Sequence, residues 1–321
     1  MNVSHGFPAD DSHRGGYVAI GNFDGVHCGH QNIVAVLVRR ARDADVPAVA
    51  LTFDPHPARL LRPEDSPPAL STLQRKAELL AGCGVDRVIA YPTTREFLAF
   101  SPDDFFQRIV RDELDAKGLV EGPNFCFGKD RAGDIALLRT LCDAAGVLLD
   151  VVGPVEVDGR LISSSRIRDA ITSGNIACAV TMLGHPYRLQ GTVTRGAGRG
   201  ADLGFPTANL TGTETLLPAD GVYAGTTALG GEVLPAAVNI GPNPTFGDDA
   251  PKLEVHVVGF DGELYGREIS VDLLDRIRDV AQFADAAALR KQLQIDIGTA
   301  AGIFAAKKVN GKIHAPLDNG Q

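Results

Sequence analysis

The stretch Tyr17–His30, YVAIGNFDGVHCGH, decides the fold of the first half of the chain. Its first four residues form a short apolar run with β-branched members, which predicts a buried strand. The next ten, GNFDGVHCGH, hold three glycines and two histidines. The segment GHQNIVAVLVRRARDA then reads as a helix, with Ile33 and Leu37 at i and i+4. PAVALTFDP follows as a second apolar strand. Together these make a βαβ unit whose glycine-rich turn lies between strand and helix.

The alternation continues beyond it. STLQRKAELLAGCG predicts a helix capped by Ser71, and VDRVIAYP predicts a strand. SPDDFFQRIVRDELDAKG starts with Ser101 as cap, Pro102 at the first helical position and Asp104 closing a capping box. GLVEG, DIALLRTLCDAAG and VLLDVVGPV read as strand, helix and strand. Such alternation predicts a Rossmann-like, doubly wound parallel sheet. From Leu189 onward the pattern changes. RLQGTVTRG, GVYAGTTAL, VLPAAVNIG, KLEVHVVGF and ELYGREISVDLL follow one another with turn residues between, which predicts a small antiparallel β-barrel or sandwich. Asp261-Gly262 reads as a hairpin turn between two of these strands. DAAALRKQLQIDIG closes the chain as an amphipathic helix, with Leu289, Leu293 and Ile297 at i, i+4 and i+8. These signals divide the chain into residues 1–184 and 185–321, in keeping with a length of 321 residues, more than one core usually serves.

Composition narrows the function. Lysine and arginine number 31 against 40 aspartates and glutamates, a formal net charge of −9, which argues against a nucleic-acid partner. Anionic small molecules stay open, because helix N-termini and single arginines bind phosphate locally. The five cysteines, an odd number with no CxxC pair, fit a reducing compartment better than a disulfide framework. The first sixteen residues lack the apolar core of a signal peptide, and no apolar run reaches the ~18 residues of a membrane span. The expected location is cytoplasmic with no membrane partner. Self-association has no readable signature.

Three readings compete for GNFDGVHCGH. His27, Cys28 and His30 offer three metal ligands, yet a structural zinc site wants four, and no matching pair stands nearby. An ordinary glycine-rich turn is the second reading. A phosphate cradle is the third and has the most support. A turn from strand into helix points backbone N–H groups and the helix dipole at whatever sits there, and two imidazoles can donate to phosphate oxygens. LISSSRIRDA adds Ser163, Ser164 and Ser165 before a helix that carries Arg166 and Arg168 in its first turn. Capping needs one serine, and arginine at a helix N-terminus opposes the dipole unless an anion binds there.

GNFDGVHCGH, TFDPHP (Thr52 to Pro57), NFCFG (Asn124 to Gly128) and ISSSRIR (Ile162 to Arg168), in this order, resemble the nucleotidyltransferase half of bacterial bifunctional riboflavin kinase/FAD synthetases. The resemblance implies direct adenylyl transfer from ATP to FMN without a covalent enzyme intermediate. It implies that His27 and His30 stabilise the phosphates in the transition state, and that Gly21, Asn22, Phe23, Asp24 and Gly29 form the ATP cradle. His56, Asn124, Ser164, Ser165 and Arg168 would hold the substrates' phosphates and the loops around them.

A second glycine-rich stretch, TRGAGRGADLGFPTANL, spans Thr194 to Leu210. Gly196-x-Gly198-x-x-Ala201 fits a dinucleotide fingerprint, but Gly204 and Pro206 follow where a helix would have to run. No GxxxxGK[ST] sequence occurs, which leaves a Walker-type kinase unsupported. A plain mobile loop remains open on composition. Thr207 and Asn209, at i and i+2, share one face of an extended segment and offer neutral oxygens suited to Mg²⁺. In KLEVHVVGF, Leu253, Val255 and Val257 share one face, and Glu254 and His256 the other. Glu254 is either a solvent-facing residue or a base aimed at a hydroxyl. GRGADLGFPTANL, LLPADGVYAG, NIGPNPTFG, LEVHVVGFDGELYG and RIRDVAQF resemble the riboflavin kinase module of the same family. This implies that Thr207 and Asn209 help hold Mg²⁺–ATP and that Glu254 is the general base for the ribityl 5′-hydroxyl. It also implies that the glycine loop (Gly196, Gly198, Gly200, Gly204, Pro206) covers nucleotide phosphates and that Arg278 lines the flavin side.

The leading expectation is therefore a bifunctional enzyme that phosphorylates riboflavin to FMN and adenylylates FMN to FAD. Two alternatives remain: the same kinase fused to a nucleotidyltransferase with another phosphorylated acceptor, or a non-catalytic flavin-binding protein. The second alternative has no use for a base at Glu254.

Overall fold

The structure is a computed structural model that describes residues 3–196, 200, 203–243 and 248–309. Its contacts divide the chain into two compact units, Met1–Ser164 and Ser165–Gln321.

In the first unit, β1 (Ser4–His5), β2 (Tyr17–Ile20), β3 (Ala48–Asp54), β4 (Arg87–Pro92), β5 (Gly118–Glu121) and β6 (Leu148–Val151) pair in parallel in the order β1-β4-β3-β2-β5-β6. The order reverses between β2 and β5, so the loops after these two strands open a crevice at the carboxyl edge. All four residues of β2 are buried, because the sheet is covered on both faces. Val18 and Ile20 pack with Val49, Leu51 and Leu119 against Phe105, Phe106 and Ile109. Tyr17 and Ala19 point the other way, toward Val34 and Leu37 of α1 (Cys28–Asp43) and Leu80 of a later helix.

Short helices follow at α2 (Pro57–Leu61), α3 (Leu73–Gly82), α4 (Arg95–Leu98) and α5 (Pro102–Phe105). α5 is capped by Ser101, whose Oγ accepts from the Asp104 N–H and donates to the Asp104 carboxylate. It widens into a π-helical turn over Phe106–Glu113. The cap of α3 is Thr72, not Ser71. Ser71 Oγ instead accepts from the N–H of Gly25, 3.1 Å away, and serves the glycine-rich turn. After α6 (Ile135–Ala145) and β6, a small antiparallel pair, β7 (Glu156–Val157) and β8 (Arg160–Leu161), has no sequence forewarning.

Two helices, α7 (Ser164–Thr172) and α8 (Ile176–Leu183), lead into the barrel strands β9 (Tyr187–Thr194), β10 (Ala208–Thr211), β11 (Gly221–Leu229), β12 (Glu232–Asn243), β13 (Asp248–Val257) and β14 (Glu268–Arg278). These close as β10-β13-β12-β11-β14-β9. The last described helix, α9 (Ala286–Val309), packs Ile297, Ala300 and Ile303 onto Ala224 and Ala237.

Two expectations meet a different arrangement here. Asp261-Gly262 is not a hairpin turn, since β13 and β14 are not neighbours in the barrel. The contacts also divide the chain at Ser164/Ser165, ahead of the composition change near residue 185. The cause is α8, which packs on β9 and β14 and so groups with the barrel.

Candidate active sites

The first site is the loop between β2 and α1. It starts as an extension of the sheet, with the Gly21 N–H donating to the Leu51 carbonyl over 3.0 Å. The backbone then turns through left-handed conformations at Phe23 (φ 45°), Gly25 (φ 76°) and Val26 (φ 37°). Only the second is a glycine. A β-branched valine in this region is strained by about 1–3 kcal/mol, so surrounding contacts must hold it. Asp24 supplies one hold: its buried carboxylate accepts from the N–H groups of Leu70 (2.9 Å) and Ser71 (3.3 Å). Ser164 supplies another, its Oγ donating to the Asp24 carbonyl at 3.2 Å.

His27 caps α1, its Nδ1 accepting from the His30 N–H at 3.3 Å. With Nδ1 as acceptor, the neutral ring carries its proton on Nε2. The two imidazoles stack with centroids 3.6 Å apart and planes 15° off parallel, and the Phe23 ring meets His30 edge-on. A Cβ on residue 29 would stand 3.1 Å from the His27 ring, so a glycine there lets that ring lie against the backbone. Burial pushes the His30 pKa well below its ordinary 6.5, with His27 and Lys76 adding to the shift. His30 Nδ1 and Asn22 Oδ1 are buried and make no hydrogen bond among the described residues. Unsatisfied buried polar atoms beside a helix N-terminus suit a bound polar group.

The other predicted residues of this site are placed by topology. His56 follows β3 and caps α2, its Nδ1 accepting from the Ala58 N–H at 3.1 Å. Asn124 follows β5 in an exposed turn closed by the Phe125 N–H on the Gly122 carbonyl. Because β2, β3 and β5 are parallel, these loops and the histidine turn share one edge of the sheet. Ser165 and Arg168 lie on α7, within the second unit.

Lys76 was not singled out by sequence. It is buried at 8% exposure on α3, and its Nζ donates to Thr52 Oγ1 over 3.1 Å. Thr52 in turn donates to the Asn22 carbonyl over 3.2 Å. The available signal was positional: Leu73, Lys76, Ala77 and Leu80 form the i, i+3, i+4, i+7 stripe of α3, and a cation sits in its apolar face.

The second site lies on the barrel. Asn209 of β10 pairs directly with Glu254 of β13, and Glu254 pairs with Asn239 of β12. Residues opposite each other in antiparallel strands share a face, so these three polar side chains form a row. Their sequence neighbours Ala208, Leu210, Leu253 and Val255 are buried on the other face, as the alternation in KLEVHVVGF predicts. Asn239 was missed because its strand, VLPAAVNIG, contains a single polar residue with no partner visible in sequence. His256, two residues from Glu254 on the same face, donates from Nδ1 to the Pro206 carbonyl at 2.8 Å and anchors the PTAN segment.

Gly196 lies against Asn209 of this row, and Gly200 lies close to Thr207. A Cβ on Gly196 would overlap the Asn209 amide, and one on Gly200 would stand 2.5 Å from the Phe205 carbonyl and 3.3 Å from Thr207 Oγ1. The loop turns at Gly200, whose carbonyl accepts from the Phe205 N–H at 2.8 Å, and Gly204 is left-handed at φ 87°. Gly198 lies outside the described residues. A cavity of about 360 Å³ opens beside Thr207, lined also by Val193, Val255, Phe260, Leu264 and Tyr265; Glu254 does not line it.

Arg278 is committed elsewhere. Its guanidinium grips the buried carboxylate of Asp296 on α9 at 2.7 Å, and its third nitrogen donates to the Asp279 carbonyl. It clamps the last helix to β14. No group of three or more His, Cys, Asp or Glu among the described residues is arranged to hold a metal ion.

The family models agree with this two-part geometry. Residues 9–166 match the FAD synthetase model, and residues 183–304 match the riboflavin kinase model. The bifunctional riboflavin kinase/FMN adenylyltransferase of Pseudomonas fluorescens is 36% identical over 91% of this chain and 94% of its own length. The chain belongs to the bifunctional riboflavin kinase/FMN adenylyltransferase family. The Bacillus subtilis member is 32% identical over 87% of this chain and 89% of its own. A crystal structure from Streptococcus pneumoniae, named for a macrolide-efflux protein, aligns with a TM-score of 0.80 and 31% identity over 90% of this chain and 94% of its own. None of the described helices is long and apolar enough to cross a membrane.

Proposed function

We propose that this family member performs two successive reactions, one in each half of the chain. In the first, the riboflavin 5′-hydroxyl loses its proton to Glu254, its oxygen bonds to the γ-phosphorus of ATP, and ADP leaves. In the second, a phosphate oxygen of FMN bonds to the α-phosphorus of ATP, the bond between the α-phosphorus and the bridging oxygen breaks, and pyrophosphate leaves. The observation that carries the reading is the pairing of Glu254 with Asn209 beside a glycine loop in the barrel, alongside a separate stacked pair, His27 and His30, at a helix N-terminus.

Kinase residues act by position. The row of Asn209, Glu254 and Asn239 holds the base against the acceptor hydroxyl, and the loop of Gly196, Gly200 and Gly204 brings backbone close enough to meet phosphate oxygens. Thr207 and Asn209 have the neutral oxygen donors that Mg²⁺ takes, and the Gly200 backbone passes close to the Thr207 hydroxyl. A bound Mg²⁺ would neutralise charge on the transferring phosphate. Arg278 contributes indirectly, by fixing α9.

At the adenylyl-transfer site, a neutral His27 donates from Nε2 to the phosphate oxygens as charge develops, and the first N–H groups of α1 add to the positive end of the helix. His56 and Asn124 add to the binding of the substrates' phosphates, and Ser164 and Asp24 hold the turn's shape. The boundary between the two activities is assigned to residues 184/185, ahead of the first barrel strand. None of the five cysteines, all among the described residues, takes part in a disulfide, which supports a reducing, cytoplasmic setting.

The test is product analysis. Purified protein given FMN, ATP and Mg²⁺ alone should release pyrophosphate and FAD in equal amounts; given riboflavin instead, it should form FMN and then FAD. FAD formation that fails with FMN but proceeds with another phosphorylated acceptor would replace the second half of the reading.

A further inference from the structure

Lys76 is the one buried lysine or arginine among the described residues. Lysine is almost never buried unless paired, and other residues supply the cap and the apolar core contacts of α3. Thr72 caps the helix, and Ala77 and Leu80 fill the core beneath it. A methionine of similar length would pack there at no desolvation cost.

The surroundings of the ammonium explain its presence. Its Nζ donates to Thr52 Oγ1, which is fully buried at the end of β3, and Thr52 donates onward to the Asn22 carbonyl. The relay therefore ends on the residue whose Oδ1 is buried without a partner among the described residues, in the same turn as His30, whose Nδ1 likewise has none among them. Charged groups face this pair from three elements. Burial lowers the Lys76 pKa, Asp24 from the turn and Asp54 from β3 partly oppose that shift, and the stacked His27 faces His30 from the N-terminus of α1.

We propose that Lys76 is a positioning residue for adenylyl transfer, fixing the Asn22 backbone through the Thr52 hydroxyl. The proposal rests on the reading of Gly21–His30 as the adenylyl-transfer site. Burial lowers the His30 pKa, and the charges of His27 and Lys76 act in the same direction. The ring then meets the phosphates as a neutral hydrogen-bonding group. The Lys76–Thr52–Asn22 relay holds the start of the left-handed turn in place while the polyanion binds.

The experiment measures FAD formation from FMN and Mg²⁺–ATP in the full-length protein across the acid-to-neutral range, with circular dichroism as a check of folding. Lys76→Met should lower kcat about 10- to 100-fold with little change in the KM for FMN. Losing the neighbouring cation makes His30 easier to protonate, so the acid limb of the rate profile should move to higher pH. Lys76→Arg should keep the acid limb where it is, and Thr52→Val should lower kcat without moving the limb. An unchanged kcat and acid limb in Lys76→Met would overturn the proposal. An equal loss in the Met and Arg variants with a fixed limb would assign Lys76 to folding alone, and would overturn it too. If Lys76→Met does not fold, an undiminished kcat in Thr52→Val overturns it. FAD formation that survives His27→Ala/His30→Ala removes the reading of the turn and the lysine proposal with it. A silent Lys76→Met beside an inactive histidine double variant removes the lysine proposal alone.

Discussion

The Gly21–His30 turn and the Gly196–Pro206 stretch are both rich in glycine, yet their functional side chains are held in different ways. In the first, the left-handed backbone falls partly on Phe23 and Val26, and buried or half-buried side chains hold it: Asp24 on Leu70 and Ser71, Lys76 on Thr52, Ser164 on the Asp24 carbonyl. In the second, the functional side chains are set by strand register, Asn209 opposite Glu254 opposite Asn239, and glycines let the loop lie close to them. One site depends on a network that a single change can loosen. The other depends on a barrel face that stays aligned while the barrel stays closed.

The contrast can be broken most forcefully at Glu254. Glu254→Gln keeps the strand register and removes the base. It should cost riboflavin phosphorylation about 10²- to 10⁴-fold, measured as ADP release, with the thermal midpoint unchanged. A kinase rate within a few-fold of wild type would return Glu254 to the role of a solvent-facing residue.

Arg278→Ala attacks the barrel from outside the site. It strands the Asp296 carboxylate, buried under α9, and should destabilise the second unit by roughly 3 kcal/mol in denaturant titrations. If Arg278 lines the flavin instead, stability should hold and the KM for riboflavin should rise.

Gly25→Ala probes the strained turn. At φ 76° an alanine costs about 1–2 kcal/mol, so FAD formation should fall and riboflavin phosphorylation should not. Equal losses in both reactions would mean that the turn serves the whole chain.

Glu121 gives the smallest effect, readable as a trend with pH. Its carboxyl is buried at the end of β5, accepts from the Ile20 N–H at 2.8 Å, and burial holds its pKa well above the ordinary 4.5. The folded state thus binds this proton more tightly than the unfolded one. The stability it contributes is complete below the unfolded value and is lost as pH rises through the folded value. Glu121→Gln should remove that decline, so the variant's denaturation midpoint should gain on wild type as pH rises above 4.5.

Much of both sites is legible in the sequence because their elements follow simple periods. Tyr17–Ile20 is apolar throughout and becomes a strand buried on both faces; Leu253–Val257 alternates and becomes a barrel strand with Glu254 on its polar face. What escaped depends on contacts distant in sequence. Ser71 satisfies the rules for a helix cap as well as Thr72 does, and only the N–H of Gly25, 46 residues away, settles its use. Asp261-Gly262 has hairpin chemistry, yet barrel closure sends β13 and β14 to different neighbours. Lys76 looks like an ordinary helix cation until Thr52 and the Asn22 carbonyl are placed beside it. The role of Arg278 shifts for the same reason, because Asp296 lies 18 residues further along the chain.

The central claim is that each half of the chain holds one complete site. Its most direct test is a crossed flavin analysis: riboflavin or FMN with ATP and Mg²⁺, products resolved by chromatography, for Glu254→Ala and for His27→Ala/His30→Ala. The Glu254 variant should make FAD from FMN but no FMN from riboflavin, and the histidine variant should convert riboflavin to FMN and stop there. Two folded variants that each lose both reactions to the same extent would contradict it.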